Sequence, residues 1–220
     1  MTNIDETIRY HLRELEIALD AREEHHIMPP ITETDRAILD IGCGIGQTLV
    51  AADLPSDAVL VGLDLDHHCL AYGRNQFDRI AFVNGVAEGL PFREGVFDLV
   101  VSRVSVPYTE IQRTLNEVKR VLKPHGRLWF TLHPYTTTRN EFLNSLRHLR
   151  FGAALRRAHV LLNGALFHLT GRQIALVKRW GHESFQTRAG MKRALHASGF
   201  TDIQIEFEGK HFVCVARRLP

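Results

Sequence analysis

Two segments of the sequence indicate the fold most strongly: AILDIGCGIG, residues 37–46, and VLVGLD, residues 59–64. The first predicts a buried strand that runs into a glycine-rich turn, and the second predicts another strand, which ends in the carboxylate of Asp64. Glycines let the chain turn sharply and approach a ligand where a Cβ atom would clash, and the helix that follows presents free N–H groups. In doubly wound folds an acid at the end of the second strand accepts hydrogen bonds from ribose hydroxyls. Together the two stretches predict a binding site for a nucleoside cofactor.

The spacing of the glycines distinguishes between two classes of nucleoside cofactor. Dinucleotide-binding turns have the form G-x-G-x-x-G and hold a pyrophosphate at the helix N-terminus. This chain has G-x-G-x-G at positions 42, 44 and 46, and Asp40 lies on the strand just before the turn. An acid there would repel a pyrophosphate and favours a ligand with positive charge. The pattern argues against an NAD-dependent or other nucleotide-using enzyme, which we keep as an alternative.

Three later segments extend the pattern along the chain. They are GVAEGLPF at 85–92, FDLVVS at 97–102 and EVKRVLKPHG at 117–126. In order and spacing these segments resemble the later motifs of the class I S-adenosylmethionine-dependent methyltransferases, whose first motif resembles the glycine turn. The resemblance covers about residues 37–133 and resumes over 187–217. It implies S-adenosylmethionine as cofactor, S-adenosylhomocysteine as product and methyl transfer as the activity.

The resemblance also implies a fold. It is an α/β, Rossmann-like fold with a seven-stranded, mostly parallel sheet, an antiparallel C-terminal hairpin and helices on both faces. The apolar pattern of this chain agrees, because strands separated by helices pair in parallel through right-handed crossovers. We expect strands at 37–41, 59–64, 80–83, 97–102, 127–132, 201–207 and 211–217, with a turn at 208–210.

We expect residues 1–220 to form one domain in four parts. An amphipathic N-terminal helix, from residue 4 to about 24 within 1–30, precedes a cofactor-binding core, 31–133. Residues 134–186 form a helical cap inserted after the fifth strand, and residues 187–220 supply a helix and a hairpin that complete the core. An insertion at that point emerges at the carboxyl edge of the sheet, where open α/β folds bind ligands. We therefore interpret it as a substrate cap.

The cap segment has an uneven charge pattern. Residues 142–182 contain no Asp or Glu, while seven Arg or Lys residues are interleaved with apolar ones that predict two or three short helices. Three interpretations stay open. The cap recognises an anionic or aromatic small molecule, or it contacts an anionic membrane surface and collects a lipidic, quinone-type acceptor. The third interpretation is a solvated face over a small satellite core, which includes a dimer contact.

Composition excludes several classes of function. The chain has 220 residues, 45% of them hydrophobic, and a net charge of +2, which is too small to indicate nucleic-acid binding. No apolar run reaches the roughly 20 residues that span a bilayer, and no signal peptide is evident, so we expect a cytoplasmic protein, as a monomer or homodimer. Three cysteines without a C-x-x-C pair and thirteen scattered histidines predict neither disulfides nor a metal site.

The resemblance assigns cofactor contacts residue by residue. The glycine turn would hold the methionine end, Asp64 the ribose hydroxyls, and the segment after the third strand the adenine. Many family members carry an acid where this chain has Val86, so the adenine amino group loses one expected partner. The predicted cofactor-binding residues are Asp40, Gly42, Cys43, Gly44, Gly46, Gln47, Asp64, Leu65, Val86, Ala87 and Ser102.

Methyl transfer needs a general base only when the acceptor must lose a proton. His133, at the end of the fifth strand, and Tyr108 are the candidate catalytic residues. For the acceptor, a small molecule, we predict contacts with four side chains near the predicted site, namely Tyr10, His11, Arg103 and His182. A regulatory protein that binds S-adenosylmethionine or S-adenosylhomocysteine without turnover is the alternative from a different class.

Overall fold

The parallel strands predicted around the glycine turn form the centre of a seven-stranded sheet. A computed structural model of the chain describes residues 5–175, 180–208 and 211–220. The strand order is β3-β2-β1-β4-β5-β7-β6, and β5–β7 and β7–β6 are the antiparallel pairs. The strands are β1 Ala37–Ile41, β2 Val59–Asp64, β3 Ile80–Asn84, β4 Phe97–Arg103, β5 Leu122–Leu132, β6 Phe200–Glu208 and β7 His211–Arg218. The predicted fold class is confirmed, and positions 209–210 of the predicted hairpin turn lie outside the described residues.

Seven α-helices surround the sheet in the described parts of the chain. They are α1 Glu6–Leu19, α2 Gln47–Ala51, α3 His67–Gln76, α4 Ile111–Val121, α5 Tyr135–Arg147, α6 Phe151–Thr170 and α7 Arg188–Ala197. The apolar side chains of β1 and β4 are buried on both faces of the sheet, as parallel strands covered by helices require. None of these helices is both long and apolar enough to cross a membrane.

The ends of two elements differ from the prediction. We expected α1 to run to about residue 24, but it ends at Leu19, because Asp20 is already extended. We expected the fifth strand to begin at 127, but β5 begins at Leu122, which pairs with Phe97 of β4. The segment 123–126 reads as a turn, and the register of β5 does shift there, with His125 at φ +64°.

In its described residues the predicted cap contains two helices, within the predicted two or three, but they are longer than expected, and α6 alone has 20 residues. Helix α6 packs against α5 on one side and α7 on the other. Helix α6 also lies close to Phe185, in the segment before α7. This contact depends on Gly164, where a Cβ atom would lie 2.2 Å from Cδ1 of Phe185. The helix ends at Gly171, in the left-handed conformation that such a stop favours. Predicted cap residues 176–179 lie outside the described residues.

Replacing Gly164 by alanine is expected to destabilise the fold by about 1–3 kcal/mol, because the added methyl group overlaps the Phe185 ring. Urea unfolding followed by circular dichroism measures the change. Gly152→Ala on the same helix is the matched control. A Cβ atom there meets nothing within 4 Å, so alanine should raise stability by about 0.5–1 kcal/mol. Equal effects of the two substitutions would contradict this packing.

Candidate cofactor site

The glycine turn after β1 has the backbone conformation that its sequence requires. Gly42, Gly44 and Gly46 have φ of +73°, +55° and +96°, a region that other residues rarely adopt. A Cβ atom on Gly42 would lie 2.4 Å from Ser105 Oγ, and one on Gly44 would lie 2.4 Å from His11 Nδ1. The turn is therefore a close-fitting cradle between the end of β4 and helix α1.

Asp64 joins this turn to the end of β2. Its Oδ2 accepts a hydrogen bond of 2.8 Å from the Gly44 N–H, and its Oδ1 accepts one of 2.8 Å from the Asp66 N–H. Each carboxylate oxygen has two lone pairs, so both oxygens can still accept a further hydrogen bond. The side chain is held in place and faces the adjoining cavity.

A cavity of about 520 Å³ opens at the carboxyl ends of β1, β2 and β4. Polar groups line one part of it, and apolar or aromatic side chains line the rest. The lining includes Tyr10, His11, Gly42, Asp64, Leu65, Val86, Ala87, Glu88, Arg103, Val104, Ser105, Tyr108 and Thr109. The volume and the mixture of apolar walls with a few placed polar groups are typical of small-molecule sites.

A second cavity of about 260 Å³ lies beside the first and shares Tyr10, His11, Gly42 and Arg103 with it. Its remaining walls include Glu14, Gln47 and Thr131. Arg103 Nη2 donates a hydrogen bond of 3.2 Å to Glu14, but Arg103 Nη1 and Thr131 Oγ1 are buried without a described partner. Buried polar atoms without partners are costly, which indicates that a polar ligand or water belongs in this space.

Asp40 is the most unusual ionisable group of the region. It is 1% exposed and, like Ser102, lines neither cavity, so it lies directly beneath the turn, and neither carboxylate oxygen has a hydrogen-bond partner among the described residues. Burial raises the pKa of Asp40 to about 7, although the nearby Arg103 guanidinium opposes this shift and Asp64 adds to it. An unpaired, buried acid beneath the glycine turn is suited to attract a cation.

The other predicted cofactor residues occupy three different places. Leu65, Val86 and Ala87 line the main cavity, as Asp64 and Gly42 do. Cys43 is buried behind the turn, where burial raises the pKa of its thiol well above the usual range. Gln47 lines the smaller cavity, and its Nε2 lies 3.2 Å from His11 Nδ1 of α1.

Ser102 does not line either cavity. It is fully buried, and its hydroxyl donates a hydrogen bond of 2.8 Å to the Ile41 carbonyl. Ser105, which we did not predict, lies in the cavity wall instead and donates to the same carbonyl at 2.7 Å. Between them Val104 adopts φ +63°, a strained conformation for a β-branched residue, of the kind found near functional sites.

Tyr108 and His133, the predicted catalytic residues, are in contact. Their rings meet edge to face with centroids 5.3 Å apart, and Tyr108 lines the main cavity, whereas His133 is not part of the lining. Burial lowers the pKa of His133, so the ring is neutral near pH 7, and burial raises the pKa of Tyr108. His182 lies near Tyr108 in a neighbouring pocket, and its Nδ1 is buried without a described partner.

Two arginines of the predicted cap form ion pairs within the protein. Arg156 donates to Glu183 at 2.7 Å and Arg157 donates to its other oxygen at 2.8 Å. Arg157 also lies 3.0 Å from Glu141. Glu183, at 4% exposure, thus anchors the middle of α6 to the chain that leads into α7. These two arginines are therefore engaged within the protein, and the interpretation of the cap as an anion-binding element stays a prediction.

Comparisons with known proteins add family information to this geometry. Residues 39–130 match the family model described as a methyltransferase domain. The chain is 26% identical over 168 residues to the uncharacterized methyltransferase YcgJ of Bacillus subtilis, covering 71% of this chain and 66% of that protein. It is 37% identical over 99 residues to a demethylmenaquinone methyltransferase of Symbiobacterium thermophilum, covering 41% of this chain and 39% of that protein.

The fold itself has solved counterparts. The crystal structure of the YcgJ protein from Bacillus subtilis superimposes with a TM-score of 0.57 at 16% identity, over 96% of this chain and 99% of that chain. The sequence matches to curated relatives are shorter: they span just under two thirds, 66%, of one relative and 39% of the other. The segment matched by the family model, residues 39–130, carries the glycine turn and Asp64.

Proposed function

Because the chain belongs to the class I S-adenosylmethionine-dependent methyltransferases, we propose that it transfers a methyl group to a small acceptor molecule with an aromatic or other apolar body. The observation that carries the proposal is the joined geometry of the glycine turn and Asp64 at the ends of β1 and β2. That geometry matches the requirements of a nucleoside ligand, namely close backbone approach and a fixed double acceptor.

The residues present fit the cofactor. Asp64 has free lone pairs for ribose hydroxyls, while Leu65 and Val86 offer apolar surface for a purine ring. Asp40 supplies an unpaired negative charge for the cationic end, and Arg103 supplies an unpaired N–H for a carboxylate. When bound, S-adenosylmethionine supplies a methyl group that is activated by its attachment to a positively charged sulfur.

The protein's part in the reaction is mainly to position the acceptor and exclude water, for which effective molarities correspond to roughly 7–11 kcal/mol. Tyr108, Tyr10 and Val104 present aromatic and apolar surface to the main cavity. The pairing of Arg156 and Arg157 with Glu183 supports an apolar acceptor over a strongly acidic one. If the acceptor is a hydroxyl compound, its proton needs a base, and neutral His133 behind Tyr108 is the candidate.

Turnover tests the proposed function directly. The full chain is incubated with S-adenosylmethionine and a panel of small aromatic, phenolic, amine and carboxylate acceptors, and S-adenosylhomocysteine is measured. We expect product with one or more aromatic acceptors. Tight cofactor binding without product across the panel would instead favour a regulatory protein that binds the cofactor only.

For a hydroxyl acceptor found in this way, His133→Asn is expected to lower kcat by about 10²–10⁴, the usual contribution of a general base. Cofactor affinity should not change, because His133 is not part of the cavity lining. Since burial lowers the pKa of His133, wild-type activity should persist to pH below 6.5 before protonation removes it. His125→Asn, an exposed histidine in the irregular segment of β5, is the control. An unchanged kcat in His133→Asn would remove this residue from the mechanism.

A further inference from the structure

Helix α6 carries a continuous apolar stripe on its outer face. Its members follow one another at intervals of four and three residues and are Phe151, Leu155, Ala158, Leu162, Ala165 and Leu169. This spacing places all six on one side of a helix. The four large side chains are 57–70% exposed, a high value for leucine and phenylalanine. The stripe therefore runs along the full length of the helix in contact with solvent.

The stripe is not the face of α6 that packs against the rest of the protein. The buried residues of the middle and end of the helix are His159, Val160, Asn163, Gly164 and Phe167, and the last four lie on the side opposite the stripe. Asn163 holds the chain at 182–183 through two hydrogen bonds, and Gly164 contacts Phe185. The four large side chains of the stripe therefore lie outside the face by which α6 packs on the rest of the described residues.

Cations lie at both ends of this stripe, and the turn that leads into it carries one more exposed apolar side chain. Leu149 lies in that turn at φ +53° and is 71% exposed. Arg147 and Arg150 stand on either side of Leu149, and Arg172 follows the other end of the helix. These three arginines are exposed and form no ion pair with a described residue, unlike Arg156 and Arg157 on the same helix. Residues 142–182 contain no acid.

The charges decide between two occupants of the stripe. A second copy of the helix would suit the four-three spacing, but charges beside a helix seam set partner choice, and here both copies would bring arginines at the helix ends with no acid in 142–182 to pair with them. An anionic lipid surface satisfies the arginines and takes up the apolar side chains together. We propose that α6 and the turn at 147–150 dock on the surface of a bilayer that contains anionic lipid. This inference does not depend on methyl transfer.

Vesicle sedimentation tests the proposal with the full chain. Sucrose-loaded vesicles of phosphatidylcholine with phosphatidylglycerol are compared with vesicles of phosphatidylcholine alone. We expect binding to the anionic vesicles that weakens with salt. Arg147→Gln with Arg150→Gln should lower the partition coefficient by about 25-fold, or roughly fivefold for each charge near the surface. Leu155→Gln with Leu162→Gln should lower it by about tenfold or more.

Two controls change similar side chains elsewhere. Leu19→Gln at the end of α1 and Arg93→Gln replace an exposed leucine and an exposed arginine, and they should bind as the wild type does. Thermal unfolding confirms that each variant is folded. The proposal is overturned by absence of binding to anionic vesicles, or by binding that the stripe variants do not change. It is also overturned if sedimentation equilibrium shows a dimer that Leu155→Gln with Leu162→Gln dissociates.

Discussion

Replacing Asp64 by alanine is expected to lower the affinity for S-adenosylhomocysteine at least about a hundredfold. Two hydrogen bonds from the ribose hydroxyls to a charged acceptor are lost, and each such bond is worth about 1.5–3 kcal/mol. The substitution also removes the acceptor of the Gly44 N–H and the Asp66 N–H, so the cradle loses the link between β1 and β2. Isothermal titration calorimetry measures the change.

Two further variants separate the role of Asp64 from a general effect of losing an acid. Asp64→Asn keeps the size of the side chain and one good acceptor, so its affinity should fall between those of the wild type and the alanine variant. Asp57→Ala removes an exposed carboxylate at the other end of β2, where it pairs with Arg36, and should leave affinity unchanged. If Asp64→Ala binds as tightly as the wild type, the ribose assignment is wrong.

Asp40 is expected to make the affinity for S-adenosylmethionine depend on pH. In the unliganded protein the pKa of Asp40 is about 7, because burial disfavours the charged form. A cationic ligand stabilises the carboxylate, so binding at pH 6 must also remove a proton, while binding at pH 8 does not. Affinity should therefore be about tenfold higher at pH 8 than at pH 6.

Asp40→Asn provides the matched test of this pH dependence. The amide does not ionise, so the variant should bind S-adenosylmethionine more weakly and with the same affinity at both pH values. His11 also faces the cavity, and burial lowers its pKa, so His11→Gln is needed to show that the dependence survives without this histidine. Equal wild-type affinity at pH 6 and pH 8 would contradict the assignment.

Asp40 is also expected to make the stability of the unliganded protein depend on pH. The pKa of Asp40 rises on folding from an ordinary value of 3.8 to about 7, so the folded state keeps a proton that the unfolded chain releases. Stability of the unliganded protein is therefore lost as pH rises from about 4 to 7, by about 4 kcal/mol from this group alone. Asp40→Asn should remove that part of the loss in urea unfolding.

The sequence predicted the glycine turn and the two strands beside it because backbone chemistry dictates them. Positive φ at Gly42 and Gly44 leaves few other residues possible, and the unbroken apolar runs of β1 and β4 require burial on both faces. Asp64 was predictable because neighbouring parallel strands end at the same edge of a sheet. The structure shows this for β1 and β2, where Ile41 lies beside Leu63. The roles of these residues toward a ligand remain predictions that the titrations test.

What the sequence did not predict depends on contacts between distant residues. Ser105 follows β4 in an irregular segment, and its position against Gly42, 63 residues earlier, arises from packing alone. The charge pattern of the cap showed many free cations, but the first acid after the acid-free run, Glu183, is buried and pairs with two of them. Periodicity likewise does not reveal which face of α6 is buried, since both faces carry apolar side chains.

A calorimetric titration of the wild-type chain shows whether the cradle formed by the glycine turn and Asp64 holds an adenosine linked to an amino acid. S-adenosylhomocysteine and NAD are titrated in parallel into the same protein. We expect saturable, one-to-one binding of S-adenosylhomocysteine and no binding of NAD. Binding of NAD, or absence of heat with S-adenosylhomocysteine, would contradict it.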